Sequence, residues 1–529
     1  MREQWFLSAA ERGNPATAID GDGPGWSEGN HVEPLVHGAV YFARLYACLR
    51  ALQPGDAVYF TDWRGDPDEL LDGAGRALGE TLAGLARLGV VVRGLVWRSH
   101  PDDEGFSQKE NQELGRVVNE AGGCVLLDER VRRGGCHHQK LVVLLHRGRP
   151  QEDIAFVGGI DLCHGRRDDE RHEGDPQAIL LDERYGPHPA WHDAHVEVRG
   201  PAVALFAETF RERWEDPAPL DHRNPWRAHV ARMIHEPRNP APLPFVPDPA
   251  PPAGSHALQV LRTYPQRKPP YPFAPDGERS VARAYRKVLG RARSLVYLED
   301  QYLWSEEVAE LLAAALRRSP ALRVIAVVPR YPDRTGTFSG PPSRIGQQDA
   351  IAVVREAGGD RVAVFDLENE KGRPIYVHAK VCVVDDVWAS IGSDNINRCS
   401  WTHDSELSCA VVDDERDERT PADPGGLGDG ARAFARNLRL QLWREHLGQG
   451  LEEAALLDPV AGFDAWTERA DALDRWYRDG RTGPQPPGRV RPYRPPPVTH
   501  WSSWWAALAY RYLVDPDGRP ADLRKQNRF

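Results

Sequence analysis

Short aliphatic runs alternate with amphipathic stretches along most of the chain, and the alternation occurs twice. A strand is expected at Ala57–Trp63 and a helix from about Glu69 to Leu88, where apolar residues recur at helical spacing. Val90–Trp97, Cys124–Asp128, Lys140–His146 and Ile154–Gly158 are short and aliphatic, as buried strands are. Pro201–Trp214 reads as a helix with Val203, Phe206 and Phe210 on one side and a proline in its first turn. Between Pro237 and Pro252 eight of sixteen residues are proline, which excludes a helix interior or central strand and indicates a stiff connection. Beyond it the order returns. Strands are expected at Leu295–Leu303, Leu322–Pro329, Val362–Leu367, Ala379–Asp385 and Val387–Gly392, with helices at Ser305–Arg317, Gln347–Glu356 and Ala431–Leu447. The pattern predicts an α/β fold made from a duplicated unit. It divides into a lead-in (1–34), a first repeat (35–216), a Pro-rich linker (217–256), a second repeat (257–450) and a Pro- and Trp-rich extension (451–529).

Composition narrows the function. Among 529 residues, 41% are hydrophobic and 27% charged, the profile of an ordinary globular chain. The formal net charge of −11 argues against gripping a nucleic-acid backbone, so no nucleic-acid partner is expected. No stretch approaches the ~20 apolar residues of a membrane span, and no apolar core of a signal peptide follows Met1. Seven cysteines are scattered singly, without a CxxC pair, which disfavours a disulfide framework and a thiolate zinc site. A cytoplasmic monomer is expected, with peripheral attachment to a membrane surface left open.

The candidate chemistry sits in two matching segments. His138-Gln139-Lys140 precedes Leu141–Leu144, and His378-Ala379-Lys380 precedes Val381–Val384. Period-two geometry puts each His and Lys on one face of its strand. Gly158-Gly159-Ile160-Asp161 follows the first pair and Gly392-Ser393-Asp394-Asn395 the second, at offsets of 20 and 14 from histidine to glycine. The longer offset is absorbed by the polar turn His146–Gln151. One HxK is weak evidence. Two copies in the same context point to one shared site.

These segments resemble the phospholipase D superfamily, whose mark is a duplicated HxKxxxxD motif followed by GG or GS with Asp or Asn. Further likeness to its eukaryote-like, lipid-hydrolysing branch lies in Phe156–Cys163, Trp191-His192-Asp193, Gly200-Pro201-Ala202, Leu298–Tyr302 and Leu442–Gly448. It covers about residues 35–450. The resemblance implies two repeats, each a mixed β-sheet flanked by helices, packed about a pseudo-twofold with one shared cleft. The second motif is complete through Asp385, whereas Leu145 stands at the corresponding place in the first. In the family that aspartate supports the motif's backbone, so its loss reads as tolerable.

Phosphodiester hydrolysis needs a nucleophile, a proton for the leaving alkoxide and positive charge around the phosphoryl oxygens. Two His–Lys pairs supply all three without a metal or other cofactor. By the resemblance, His138 attacks phosphorus to give a phosphohistidine, and His378 protonates the departing alcohol, then deprotonates the acceptor, water or a primary alcohol. Lys140 and Lys380 bind non-bridging oxygens as point charges, and Asn395 adds a neutral donor. Each histidine also wants a carboxylate on its far nitrogen. Glu406, 28 residues after His378, matches the family's acidic partner; in the first half Asp168 is the best match and Asp161 a weaker one.

Neighbouring residues have plainer readings. His137 points to the opposite face and is structural. His192 and His195 around Asp193 suggest zinc but lack a clear third ligand, so packing or a cleft role is preferred. Arg166, Arg167 and Arg171 read as a solvated face. Trp501, Trp504 and Trp505 suit a membrane interface, with packing of the tail onto the body favoured. The expected function is hydrolysis of glycerophospholipids such as phosphatidylcholine at a membrane surface, giving phosphatidic acid and free alcohol, with transphosphatidylation as a side reaction. The rivals are phosphatidyl transfer of the cardiolipin-synthase kind, a nuclease, and a weak phosphate- or lipid-binding protein suggested by Leu145.

Overall fold

The two halves of the chain build two runs of one sheet with the same strand order. The computed structural model describes residues 1–19, 23–98, 108–220, 240–244, 249–303, 305–333, 340–495 and 510–529. Trp501, Trp504, Trp505 and much of the Pro-rich linker lie outside these. The first half runs β1 (Ser27–Val36), helix Gly38–Ala51, β2 (Ala57–Asp62), helix Leu78–Leu88, β3 (Val91–Trp97), helix Gln108–Glu120 and β4 (Cys124–Asp128). The hairpin β5 (Leu141–Leu145) and β6 (Ile154–Gly158) follows, then β7 (Ala190–His192), β8 (Ala194–Arg199) and helix Ala202–Trp214.

The second half repeats this order. β9 (His256–Tyr264) and the short β10 (Glu278–Arg279) lead to helix Ser280–Arg291, β11 (Leu295–Glu299), helix Glu306–Arg318, β12 (Arg323–Val327), helix Gly340–Gly358 and β13 (Val362–Leu367). Next are β14 (Ile375–Val377), β15 (Val381–Val384), β16 (Trp388–Gly392), β17 (Glu406–Asp413) and helix Ala433–Leu447. After helix Pro459–Arg478, β18 (Val490–Pro492) pairs antiparallel with β13. The sheet order is β18-β13-β12-β11-β15-β16-β17-β9-β1-β8-β6-β5-β2-β3-β4, so the repeats read outward in the same sequence from the β9–β1 seam.

Strand alternation sorts the side chains into layers. Ala57 and Tyr59 of β2, with Leu295 and Tyr297 of β11, belong to one inner cluster shared by both halves and by the helices Ala202–Trp214 and Ala433–Leu447. Val58 and Phe60 face the first half's outer helices, and Val296 and Leu298 face the second's. Strands covered on both faces need apolar residues throughout, which is why they read as unbroken aliphatic runs.

Several elements depart from the expected bounds. The helix foreseen from Glu69 begins only at Leu78, because Gly73 and Gly75 take positive φ and turn the chain before it. The strand foreseen to Leu303 stops at Glu299, where the Asp300 carboxylate accepts from the backbone N–H groups of Tyr302 and Leu303, each at 2.7 Å. The first half's sheet opens at Ser27, inside the segment read as lead-in. Trp5, Phe6 and Leu7 pack on the second repeat. The extension also joins the body: Trp466 enters the inner cluster, and the Asp515 carboxylate accepts from Cys399 N at 2.6 Å.

Candidate active site

β5 and β15 are the equivalent central strands of the two repeats, and each is entered through its His–Lys pair. Both histidines line a cavity of about 660 Å³ with Trp63, Arg166, Trp191 and Asn395. Lys140 and Lys380 are buried beneath them. The Lys140 ammonium lies 3.1 Å from Asp161 Oδ1 and donates to the His138 carbonyl at 2.9 Å. Lys380 donates to the His378 carbonyl and to Gln301 Oε1 at 3.3 Å. Burial, reinforced by Lys140, brings the Lys380 pKa down to about 8. An anion in the cavity would restore its charge.

Each histidine takes its carboxylate from the other repeat. Residues 137–138 run beside Ser405, with His138 N donating to Ser405 O at 2.9 Å. β7 lies parallel to β14, and His378 N donates to His192 O at 2.8 Å. These crossings bring His138 Nδ1 to 3.0 Å from Glu406 Oε2, and His378 Nδ1 to 2.7 Å from Asp193 Oδ2. His138 Nδ1 also lies 3.1 Å from the Ser393 carbonyl oxygen. A carbonyl only accepts, so Nδ1 carries the hydrogen and Nε2 keeps its lone pair. Burial and then the nearby lysines hold His138 well below the usual imidazole range; burial, Lys380 and Arg166 do the same to His378.

The carboxylates differ in support. Glu406 accepts from Ser393 Oγ, and burial with the neighbouring Asp404 charge pushes its pKa up to about 8. Asp193 accepts from Ala194 N at 2.9 Å and from Trp191 Nε1 at 3.3 Å. Burial raises it too, while Lys380 and those donors work against the rise. Gly159 is required here, because a Cβ at that position would overlap Asp193 Oδ1.

The remaining foreseen residues separate into site and scaffold. Asn395 is buried at the cavity wall. Asp385 stands away from the chemistry: its carboxylate accepts from the backbone N–H groups of Arg293, Ser294 and Leu295 at 2.8–2.9 Å, fixing the turn into β11. Leu145 is fully buried in the inner cluster. In that half Asp56 holds the equivalent turn, accepting from Gln53 N and Arg147 N and pairing with Arg149 at 2.8 Å. Asp168 pairs with neither motif histidine. Its carboxylate accepts from Trp191 N at 2.8 Å and Gly174 N at 3.2 Å, because the chain crossing brings Glu406 to His138 instead. Asp161 holds Lys140 and also Arg166, at 3.4 Å.

Arg166 corrects the solvated-face reading. It is buried over the Trp191 ring, 3.9 Å from the centroid, and its Nε and Nη1 have no hydrogen-bond partner among the described residues. Arg171 is the exposed member of that run. His137 is buried on Ser405 Oγ at 2.7 Å. His195 stacks on Tyr41, whereas His192 joins a buried group containing His37, His172 and Glu445. The partner Asp193 lies within the Trp191-His192-Asp193 likeness, and that likeness was the signal available in the sequence.

A family model described as Phospholipase D matches residues 69–241 and 353–478, the segments that carry the two His–Lys pairs. Phospholipase D alpha 2 of Oryza sativa subsp. japonica is 24% identical over 526 residues, covering 74% of this chain and 62% of that protein. Phospholipase D A of Dictyostelium discoideum is 26% identical over 373 residues, covering 59% of this chain and 27% of that protein. This chain therefore spans about three-fifths of the length of the rice relative and less of the other. The crystal structure of phosphatidylserine synthase from Haemophilus influenzae Rd KW20 superposes with a TM-score of 0.49 at 12% identity, over 72% of this chain and 82% of that one.

Proposed function

The chain belongs to the phospholipase D family, and on that premise we propose that it hydrolyses glycerophospholipids such as phosphatidylcholine to phosphatidic acid and the free alcohol. The observation that carries this reading is the pair of cavity-lining histidines, each hydrogen-bonded through Nδ1 to a carboxylate of the opposite repeat. That pairing leaves Nε2 of each ring for chemistry.

His138 Nε2 attacks phosphorus while the bond from phosphorus to the headgroup oxygen breaks, and His378 Nε2–H protonates that oxygen. Water then attacks phosphorus, yields its proton to His378, and the phosphorus–nitrogen bond breaks to release phosphatidic acid. The carboxylates support this division of labour. Glu406, with its pKa near 8, suits a neutral nucleophile. Asp193, which receives two N–H donors, is better equipped to sustain the charge that steadies an imidazolium. Lys140, Lys380 and Arg166 supply positive charge for the phosphoryl oxygens. A primary alcohol in place of water gives transphosphatidylation.

The cavity mouth favours a lipid over a nucleic acid. Ala178, Ile179, Leu180 and Leu181 line it, and Leu180 is 84% exposed, while the chain's net charge is −11. Among the described residues no helix is long and apolar enough to cross a membrane, so substrate would be met at a surface. The test incubates the protein with phosphatidylcholine vesicles and ethanol and follows phosphatidic acid and phosphatidylethanol by mass spectrometry. Both products are expected from the wild type and neither from His138→Ala or His378→Ala. Absence of both from the wild type, with turnover of an oligonucleotide, would replace this reading with the nuclease.

A further inference from the structure

Behind His378 lies a second group, three buried histidines and the half-buried Glu445, that the phosphodiester chemistry does not use. His37, His172 and His192 come from the first repeat and Glu445 from the helix Ala433–Leu447 of the second. One ligand atom from each falls within 4.8 Å of all the others. His37 Nε2 is 2.8 Å from Glu445 Oε2, His172 Nε2 is 2.9 Å from Oε1, and His192 Nδ1 is 3.7 Å from Oε1. We propose that these four residues bind one divalent first-row transition-metal ion, zinc being the best match, and that the ion pins the two repeats together behind the active site.

The hydrogen bonds on the outer nitrogens carry the argument. His172 Nδ1 lies 3.0 Å from the Trp191 carbonyl oxygen, and His192 Nε2 lies 2.8 Å from Glu299 Oε2. Both partners only accept, so both of those nitrogens carry hydrogen. In neutral rings the opposite nitrogens, His172 Nε2 and His192 Nδ1, are then lone pairs facing the Glu445 carboxylate, which offers only lone pairs itself. His192 Nδ1 has no hydrogen-bond partner among the described residues. Such an arrangement requires positive charge at its centre. Separate protons would make neighbouring imidazolium rings whose centroids are 4.8–5.7 Å apart, with Glu445 shared among them, Glu299 on the outer side of His192 and Asp168 3.9 Å from His172 Nδ1. Arg489, 3.9 Å from Glu445 Oε1, is the other cation at its edge.

A single ion would satisfy the inward-facing nitrogens of His37, His172 and His192 together with Glu445. Three imidazole nitrogens and one carboxylate oxygen form a zinc-type N/O set, and zinc bonds of ~2.0–2.1 Å place tetrahedral ligand atoms roughly 3.3 Å apart, within the range of the separations here. The outer contacts to Trp191 O and Glu299 are the second shell that orients metal-bound histidines. Four protein ligands make a closed site, hence a structural one. His37 and His172 both hold positive φ, 74° and 54°. Such conformations cost ~1–3 kcal/mol and persist where the surroundings impose them.

The consequence for the active site is positional. His192 O accepts from His378 N, and His37 N donates to Asp193 O at 3.0 Å. The ion would thus fix the segment that delivers Asp193 to His378.

The test is elemental analysis of the full-length chain, purified without chelator and with any polyhistidine tag removed, followed by chelator dialysis and titration with Co²⁺. About one zinc per chain is expected, with visible absorption bands of a four-coordinate cobalt site after exchange. His172→Gln and Glu445→Gln should each abolish stoichiometric binding, and metal removal should lower the melting temperature of the wild type but not of the variants. A wild type that carries no metal and takes up neither zinc nor cobalt would overturn the proposal, whether or not the variants fold. So would stoichiometric binding that persists in both variants.

Discussion

His138 belongs to the first repeat, yet its Nδ1 hydrogen-bonds Glu406 of the second at 3.0 Å. His378 makes the reciprocal contact with Asp193 of the first, at 2.7 Å. Neither motif histidine therefore takes its carboxylate from its own repeat. If these carboxylates fix tautomer and charge, Glu406→Gln and Asp193→Asn should each lower kcat by about 10²–10⁴-fold with little change in KM. The double variant should lose less than the product of the two, because both act on one step. Steady-state kinetics on a short-chain phosphatidylcholine checks this. Unchanged kcat in both variants would show that the crossing is only architectural.

The pH dependence follows from burial. Both motif histidines are held low in the free protein, and an anionic phosphate beside His378 should raise its pKa on binding. The alkaline limb of kcat should therefore lie at higher pH than that of kcat/KM. With Lys380 near 8, its charge is present below that pH and lost above it, so KM should rise above about pH 8, and Lys380→Met should remove that dependence.

Stability has its own pH signature. Glu406 is raised from 4.5 to about 8 on folding, so its contribution is full below pH 4.5 and is lost as pH rises through 8. The melting-temperature difference between wild type and Glu406→Gln should shift against the wild type over pH 5–8. A difference independent of pH would contradict the assignment.

Leu145 and Asp385 occupy equivalent positions but do different things. Asp385→Ala would strand three backbone N–H groups and should cost ~3 kcal/mol or more. Restoring the motif with Leu145→Asp should also destabilise, by several kcal/mol (on the order of 3–5), because the acid would enter the inner cluster without a partner. Urea denaturation measures both, and a stabilising Leu145→Asp would contradict the role given to Asp56.

Arg166 lines the cavity, and its Nε and Nη1 have no hydrogen-bond partner among the described residues. Arg166→Ala should raise KM by about 10–100-fold, the worth of one hydrogen bond to a charged group, with a smaller effect on kcat. The reverse pattern would place Arg166 in the scaffold.

The legible parts of this chain were those whose chemistry lies along one strand. Val142, Leu144 and Phe156 face one layer and Leu141, Val143 and Val157 the other, so their aliphatic runs marked strands at once. β9 and β17 escaped notice because buried polar residues interrupt them. Arg262 is one, neutralised by Glu212 and Glu278 at 2.6 Å each, and Glu406 and Ser408 are others. His138, Lys140, His378 and Lys380 could be recognised by spacing. The carboxylate exchange could not, because it depends on residues 137–138 passing beside Ser405, a tertiary crossing without local signature. Asp168 was the first half's best match to the family's acidic partner, and the fold spends it on backbone N–H groups instead.

The most direct test of the central claim is to trap the covalent intermediate. His378→Ala, deprived of its general acid, should still accept a phosphatidyl group from a substrate with a good leaving group such as p-nitrophenol, and should release it slowly. Alkaline quench and peptide mass spectrometry should find the adduct on the peptide containing His138, and none when His138→Ala is added. An adduct on any other residue, or turnover by the wild type that survives His138→Ala, would contradict the account.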